Sequence, residues 1–169
     1  MKIAILGYSG SGKSTLAREL GKRYGLTVLH LDTVQFEPGW SVRDRDESKQ
    51  LVRTFLEEHP DGWVIDGNYS AFLQEERLEQ ADRIVLMLLP RLTCYFRARR
   101  RSKRFCGKVR PDMADGCTEK FDWEFRLWIL WKGRTAKRSA AFRRIAQQYP
   151  DKTVILRSQR AIDRYLQSL

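Results

Sequence analysis

Short apolar runs alternate along the chain with stretches in which apolar residues recur every three or four positions. Ile3 to Leu6 is strand-like and ends at glycine, and Leu16, Leu20 and Tyr24 then fall four apart on one helical face, with Gly25 placed as a C-cap. Thr27 to Leu31 reads as a second strand ending at Asp32. Asp44 followed by Glu47 opens a helix whose apolar face is Leu51, Val52, Phe55 and Leu56. Trp63 to Ile65 reads as a third strand ending at Asp66, and Ser70 caps a short helix to about Gln80. Arg83 to Leu89 is a strand buried on both faces by its continuous apolarity. Helices follow from about Leu92 to Arg104 and from Phe121 to Gln148, the latter broken near Gly133. Thr153 to Leu156 is a fifth strand, and Ala161 to Gln167 a closing helix. Strands alternating with helices predict an α/β/α sandwich around a five-stranded parallel sheet, with ligands at the carboxyl ends of the strands. The expected organisation is one domain over residues 1–169, with a basic lid at about 105–120.

Composition narrows the class. Of 169 residues, 42% are hydrophobic and 31% charged, which fits a globular domain with a real core. No apolar run approaches the ~18 residues of a membrane helix, so no membrane partner is expected. The first apolar run reads as a buried strand rather than a leader. Three cysteines with no CxxC spacing disfavour a disulfide framework or a zinc site and fit a reducing cytoplasm. The net charge of +11 is uneven: residues 91–110 carry nine Arg/Lys and residues 125–150 carry seven, neither stretch holding an acid. Such a second half attracts phosphate groups, whether of nucleotides or of nucleic acid.

The chemistry starts at the first loop. Gly7-Tyr8-Ser9-Gly10-Ser11-Gly12-Lys13-Ser14, with Thr15 behind it, fits G-x-x-x-x-G-K-[ST] between a strand and a helix. Glycines let successive amides close on phosphate oxygens, and the new helix adds the positive end of its dipole. Lys13 would bridge β- and γ-phosphates, and the Ser14 hydroxyl would ligate Mg²⁺. The fold expected is therefore that of a P-loop NTPase. Asp32 and Asp66 each follow an apolar strand and so share the sheet edge with this loop. Asp66 is expected to orient Mg²⁺; Asp32 is expected to accept the acceptor's proton or to orient the metal. His30 reads as a packing residue. Arg97, Arg100, Arg101 and Arg104 fall on one helical face, where a polyanion would offset their mutual repulsion. Lys108 and Arg110 extend the charge into the lid, and Arg99 and Lys103 read as solvated. Most rings of Phe121, Trp123, Phe125, Trp128 and Trp131 are expected in the core, with one free to stack on a base. The stretch from Arg134 to Arg144 fits equally an anion site or the wet face of a helix.

With GYSGSGKST, VLHLD, VIDGNY and the arginine helix before a lid, the chain resembles the adenylate-kinase-like P-loop kinases. GYSGSGKSTLA, HLDTVQFEPGW, WVIDGNY, RPDMADGCTEKFDWEF and the WILW segment make it similar, over nearly the whole chain, to the small bacterial DNA topology modulation proteins. The resemblance implies a nucleotide-kinase-like fold that binds ATP or GTP through Gly7 to Thr15. DGNY stands where adenylate kinases carry a DGFPR-like segment, so the arginine that holds an acceptor phosphate is missing there, and the lid lacks a four-cysteine cluster.

Two functions follow. The first is a phosphotransferase moving the γ-phosphoryl of ATP-Mg²⁺ to a small hydroxyl or phosphate acceptor, with Lys13, Asp32, Asp66, Arg100, Arg101 and Arg104 at the chemistry. The second is a nucleotide-regulated DNA-binding protein using the basic second half. NKxD and LSGGQ-type signatures are lacking, and an AAA-type accessory domain has little room. The acceptor, the preference between ATP and GTP and the oligomeric state stay open.

Overall fold

The computed structural model describes residues 1–107, 109, 112–119 and 121–169. Its centre is a five-stranded, wholly parallel sheet. In chain order the strands are β1 (Lys2–Gly7), β2 (Val28–His30), β5 (Trp63–Asp66), β6 (Arg83–Met87) and β7 (Thr153–Leu156), in the spatial order β2-β5-β1-β6-β7. A two-residue antiparallel pair, β3 (Phe36–Glu37) and β4 (Ser41–Val42), stands apart from it. The helices are α1 (Lys13–Tyr24), α2 (Leu31–Gln35), α3 (Arg45–Glu58), α4 (Gln74–Gln80), α5 (Arg91–Arg104), α6 (Trp123–Leu130), α7 (Ala136–Gln148) and α8 (Gln159–Gln167).

The pleat of β1 divides the core in two. Ile3 and Ile5 join Leu16, Leu20, Val85, Met87 and Ile129 on one face, while Ala4 and Leu6 join Val52, Leu56, Trp63, Ile84 and Phe142 on the other. Each fully buried aliphatic side chain contributes about 1.5–3 kcal/mol, so a strand apolar on both faces sits at the sheet's centre. The three-layer α/β/α P-loop kinase fold expected from the sequence is the one observed.

Several boundaries differ from the expectation. The second strand stops at His30, and Asp32 lies in the first turn of α2 rather than at a strand end. Ser70 does not cap the fourth helix: α4 begins at Gln74, after Leu73 in a left-handed conformation. The buried Arg77 does the organising there, donating from Nε to the Phe72 carbonyl at 2.7 Å and from Nη2 to the Tyr69 carbonyl at 2.9 Å. Its burial lowers the guanidinium pKa to about 10. The long helix is broken near Gly133 as expected, interrupted at Lys132–Arg134 and restarted by the Thr135 cap. On α3, Asp44 caps as expected, accepting from the amides of Asp46 and Glu47, but Leu51 is exposed. Trp123 and Trp131 also face solvent, whereas Phe121 and Phe125 pack against the core. No helix among the described residues is long and apolar enough to cross a membrane.

Candidate functional site

The carboxyl ends of β1, β2 and β5 open into one cleft of about 1530 Å³. Its floor is the loop from Ser9 to Thr15. Gly10 (φ +77°) and Gly12 (φ +96°) adopt left-handed backbone that other residues resist. A Cβ at Gly10 would also meet the Cys94 carbonyl oxygen at 2.5 Å. The loop feeds α1, whose first turn has no acid and no side-chain cap. The amides of Lys13, Ser14 and Thr15 donate to no group among the described residues, and the Ser11 hydroxyl is buried without a partner there. These donors, at the positive end of a helix dipole, fit an anion.

The loop is gripped from distant parts of the chain. Asn68 clamps Gly7 from both sides: Nδ2 donates to its carbonyl at 2.7 Å, and Oδ1 accepts from its amide at 2.9 Å. Trp128 donates from Nε1 to the Ser9 hydroxyl at 3.0 Å, and the Tyr8 hydroxyl meets that of Ser139 at 3.1 Å. Arg134 lies 3.8 Å over the Tyr8 ring and donates to the Leu89 carbonyl at 3.0 Å. Arg97 donates from Nη1 to the Ser11 carbonyl at 2.5 Å and from Nη2 to Gln159. Arg97, expected on an anion-facing helical surface, and Arg134, whose stretch fitted equally an anion site or a wet helix face, both brace the loop.

Lys13 donates to the Tyr8 carbonyl at 3.2 Å. Burial pulls its ammonium below the usual lysine range, against the raising influence of the Asp66 and Asp32 carboxylates. Asp66 is itself buried, and both its oxygens are engaged: Oδ2 accepts from the Ser14 hydroxyl at 2.9 Å, and Oδ1 pairs with Nδ1 of His30. His30, whose sequence position suggests chiefly a packing role, thus also holds Asp66. The partner that fixes its role is its register neighbour on the adjacent strand, 36 residues away.

Among the described residues, no group of three or more His, Cys, Asp or Glu could hold a metal ion. Ser14 and Asp66 nonetheless fit Mg²⁺, which commonly takes one or two protein oxygens and completes its shell with phosphate and water.

Asp32 forms the other pole of the cleft. Its Oδ1 accepts from the Tyr69 hydroxyl at 2.7 Å. Burial, then the Asp32 charge, pushes the Tyr69 phenol well above its ordinary pKa, so it stays a donor. Overhead, Arg100, Arg101 and Arg104 of α5 all line the cleft, while Arg99 and Lys103 do not. Arg101 pairs with the nearly buried Glu119 at 2.8 Å, and Arg18 pairs with Asp112 at 3.0 Å. Between α5 and α6, Val109 bridges Thr118, and the Cys117 thiol donates to the Glu37 carbonyl at 3.3 Å. Lys108 and Arg110, expected to touch nucleotide, lie outside the described residues. Arg138 stacks 4.5 Å over Trp128 on the cleft wall, whereas Arg143 and Arg144 are exposed.

A family model described as AAA domain matches residues 3–110, more than half of the chain. No curated protein matches the chain in sequence. Among solved structures, shikimate kinase from Acinetobacter baumannii in complex with shikimate aligns over 99% of this chain and 89% of its own, with 19% identity and a TM-score of 0.58. Deoxyadenosine kinase from M. mycoides with bound dATP aligns over 99% and 98%, with 14% identity and a TM-score of 0.54. An uncharacterized protein from Eubacterium ventriosum aligns over 100% and 99%, with 19% identity and a TM-score of 0.54. At these identities the likeness establishes the fold alone.

Proposed function

The chain belongs to the AAA domain family, and from that premise we propose that it is an ATP-Mg²⁺-dependent phosphotransferase acting on a small acceptor. One observation carries the reading: a phosphate-type loop with Lys13, the Ser14–Asp66 pair, Asp32 and three arginines of α5 all line a single cleft. Phosphoryl transfer needs little covalent help from a protein; it needs positioning and positive charge.

In this reading the amides of the loop hold the triphosphate, and Lys13 spans its outer phosphates. Ser14 and Asp66 are the residues that would hold Mg²⁺, with His30 fixing the Asp66 carboxylate. Bound there, the ion neutralises charge on the phosphate oxygens. Asp32, oriented by Tyr69, takes the proton of the attacking hydroxyl. Arg100, Arg101 and Arg104 neutralise the transferring group, with Arg110 a further nucleotide contact. The test is ADP release against a panel of nucleosides, nucleotides and sugar acids, with Lys13→Ala as control. An acceptor-dependent signal lost in that variant is expected; none across the panel removes the reading.

A second reading is nucleotide-regulated DNA binding, as in the DNA topology modulation proteins. What favours it is the basic surface outside the cleft, where Arg99, Lys103, Lys137, Arg143 and Arg144 are exposed. It predicts duplex binding whose log affinity falls steeply and linearly with log salt. Absence of binding at low ionic strength removes it.

A further inference from the structure

The cleft around Asp32 differs in chemistry from the loop end. Asp32 is followed one helical turn later by Phe36, whose amide donates to the Asp32 carbonyl. Phe36 meets Trp40 edge-on at 5.2 Å, and Tyr69, bonded to Asp32, stacks on Phe72 at 5.0 Å. All four rings line the cleft with Asp32. Trp40 holds this place at φ +69°, left-handed backbone that a bulky residue adopts only when its surroundings impose it. The two-residue strands on either side of the Pro38–Trp40 turn supply that constraint.

These elements bring no cation. Residues 31–42 and 66–72 contain neither lysine nor arginine. The next basic side chain, Arg43, is turned onto Glu37, Glu47 and the Val34 carbonyl, and does not line the cleft. A phosphorylated acceptor placed here would set its anion against Asp32 with nothing on these segments to hold it.

We infer that the acceptor is an uncharged compound with a planar ring and a free hydroxyl, of the nucleoside class rather than a nucleotide. Its base lies among Phe36, Trp40, Tyr69 and Phe72, and its hydroxyl meets Asp32. Aromatic rings lining a cleft suit a flat π-system, and stacking tolerates many bases. The inference rests on the phosphotransferase reading for its chemistry. The acceptor oxygen forms a bond to the γ-phosphorus of ATP, the bond to the β,γ-bridging oxygen breaks, Asp32 takes the hydroxyl proton, and ADP leaves.

Calorimetry separates the two readings. The full chain, loaded with Mg²⁺ and a non-hydrolysable ATP analogue, is titrated with adenosine, thymidine, their 5′-monophosphates and inositol. At least one nucleoside is expected to bind tenfold or more tightly than its monophosphate and than inositol. Trp40→Leu and Phe36→Leu should each weaken that binding about tenfold, with the analogue's own Kd within twofold of native as evidence of an intact fold. Preference for a monophosphate or inositol, no binding of any nucleoside, or native-like nucleoside binding by both variants overturns the inference. ADP release is followed in parallel. Nucleoside binding without ADP release keeps the binding site and removes the phosphotransferase, whereas ADP release driven only by inositol or a monophosphate does the reverse.

Discussion

The two acids of the cleft are held in different ways. At the loop end, Asp66 has a partner on each oxygen, Ser14 on one and His30 on the other. At the hairpin end, Asp32 has Tyr69 on one oxygen, and its second accepts from no described residue. A carboxylate engaged on both sides is fixed in direction, which suits an ion whose geometry must not wander. A carboxylate engaged on one side is oriented but keeps an open lone pair, which suits proton transfer. Four substitutions put that contrast to work.

The largest effect belongs to the loop end. Lys13→Met should lower acceptor-dependent ADP formation by about 10⁴-fold in steady-state assays. The same change removes an ammonium whose burial is unfavourable. Differential scanning calorimetry of the ligand-free chain should therefore show its midpoint rising. A lowered midpoint would mean that the carboxylates of Asp66 and Asp32 depend on Lys13 more than it suffers from enclosure.

At the hairpin end, Asp32→Asn should cost about 10²–10³-fold in kcat and leave ATP affinity within a few-fold. Equal losses in ATP affinity would erase the distinction between the poles. Asn68→Ala, two residues beyond Asp66, should act on the loop alone. Loss of both bonds to Gly7 should raise the KM for ATP about tenfold, with kcat changed less, in initial-rate measurements.

The smallest effect is that of Tyr69→Phe, a few-fold in kcat. Its sharper signature is in stability. Because the folded-state pKa of Tyr69 is raised, the unfolded chain releases this proton first once the pH passes about 10, the ordinary phenol value. Native stability should thus fall as pH climbs through and above that point. Urea titrations at pH 9 and at about pH 11 should show a smaller decline for the variant; an equal decline would place the alkaline sensitivity elsewhere.

What could be read from the chain was local. The loop, the Asp44 cap and the β6 run each announce themselves within a dozen residues, because glycine spacing, capping chemistry and continuous apolarity are short-range signals. The Phe36–Val42 hairpin escaped since strands of two residues carry no periodicity. Ser70 looked like a cap by composition, yet the turn it would start is organised by Arg77 from the helix that follows. The His30–Asp66 and Asn68–Gly7 pairs arise only when β2, β5 and β1 lie side by side. Of the site, the residues that would do chemistry were legible by type; those that hold them in place were not.

The grip of Trp128 on Ser9 and of Ser139 on Tyr8 spans 119 and 131 residues of chain. On a ribosome the phosphate loop emerges well before these two braces, which lie more than a hundred residues further along the chain. A nascent chain halted after α5 already contains every loop residue but neither brace. Nucleotide capture should accordingly mature late in translation, after α7 has cleared the exit tunnel and docked.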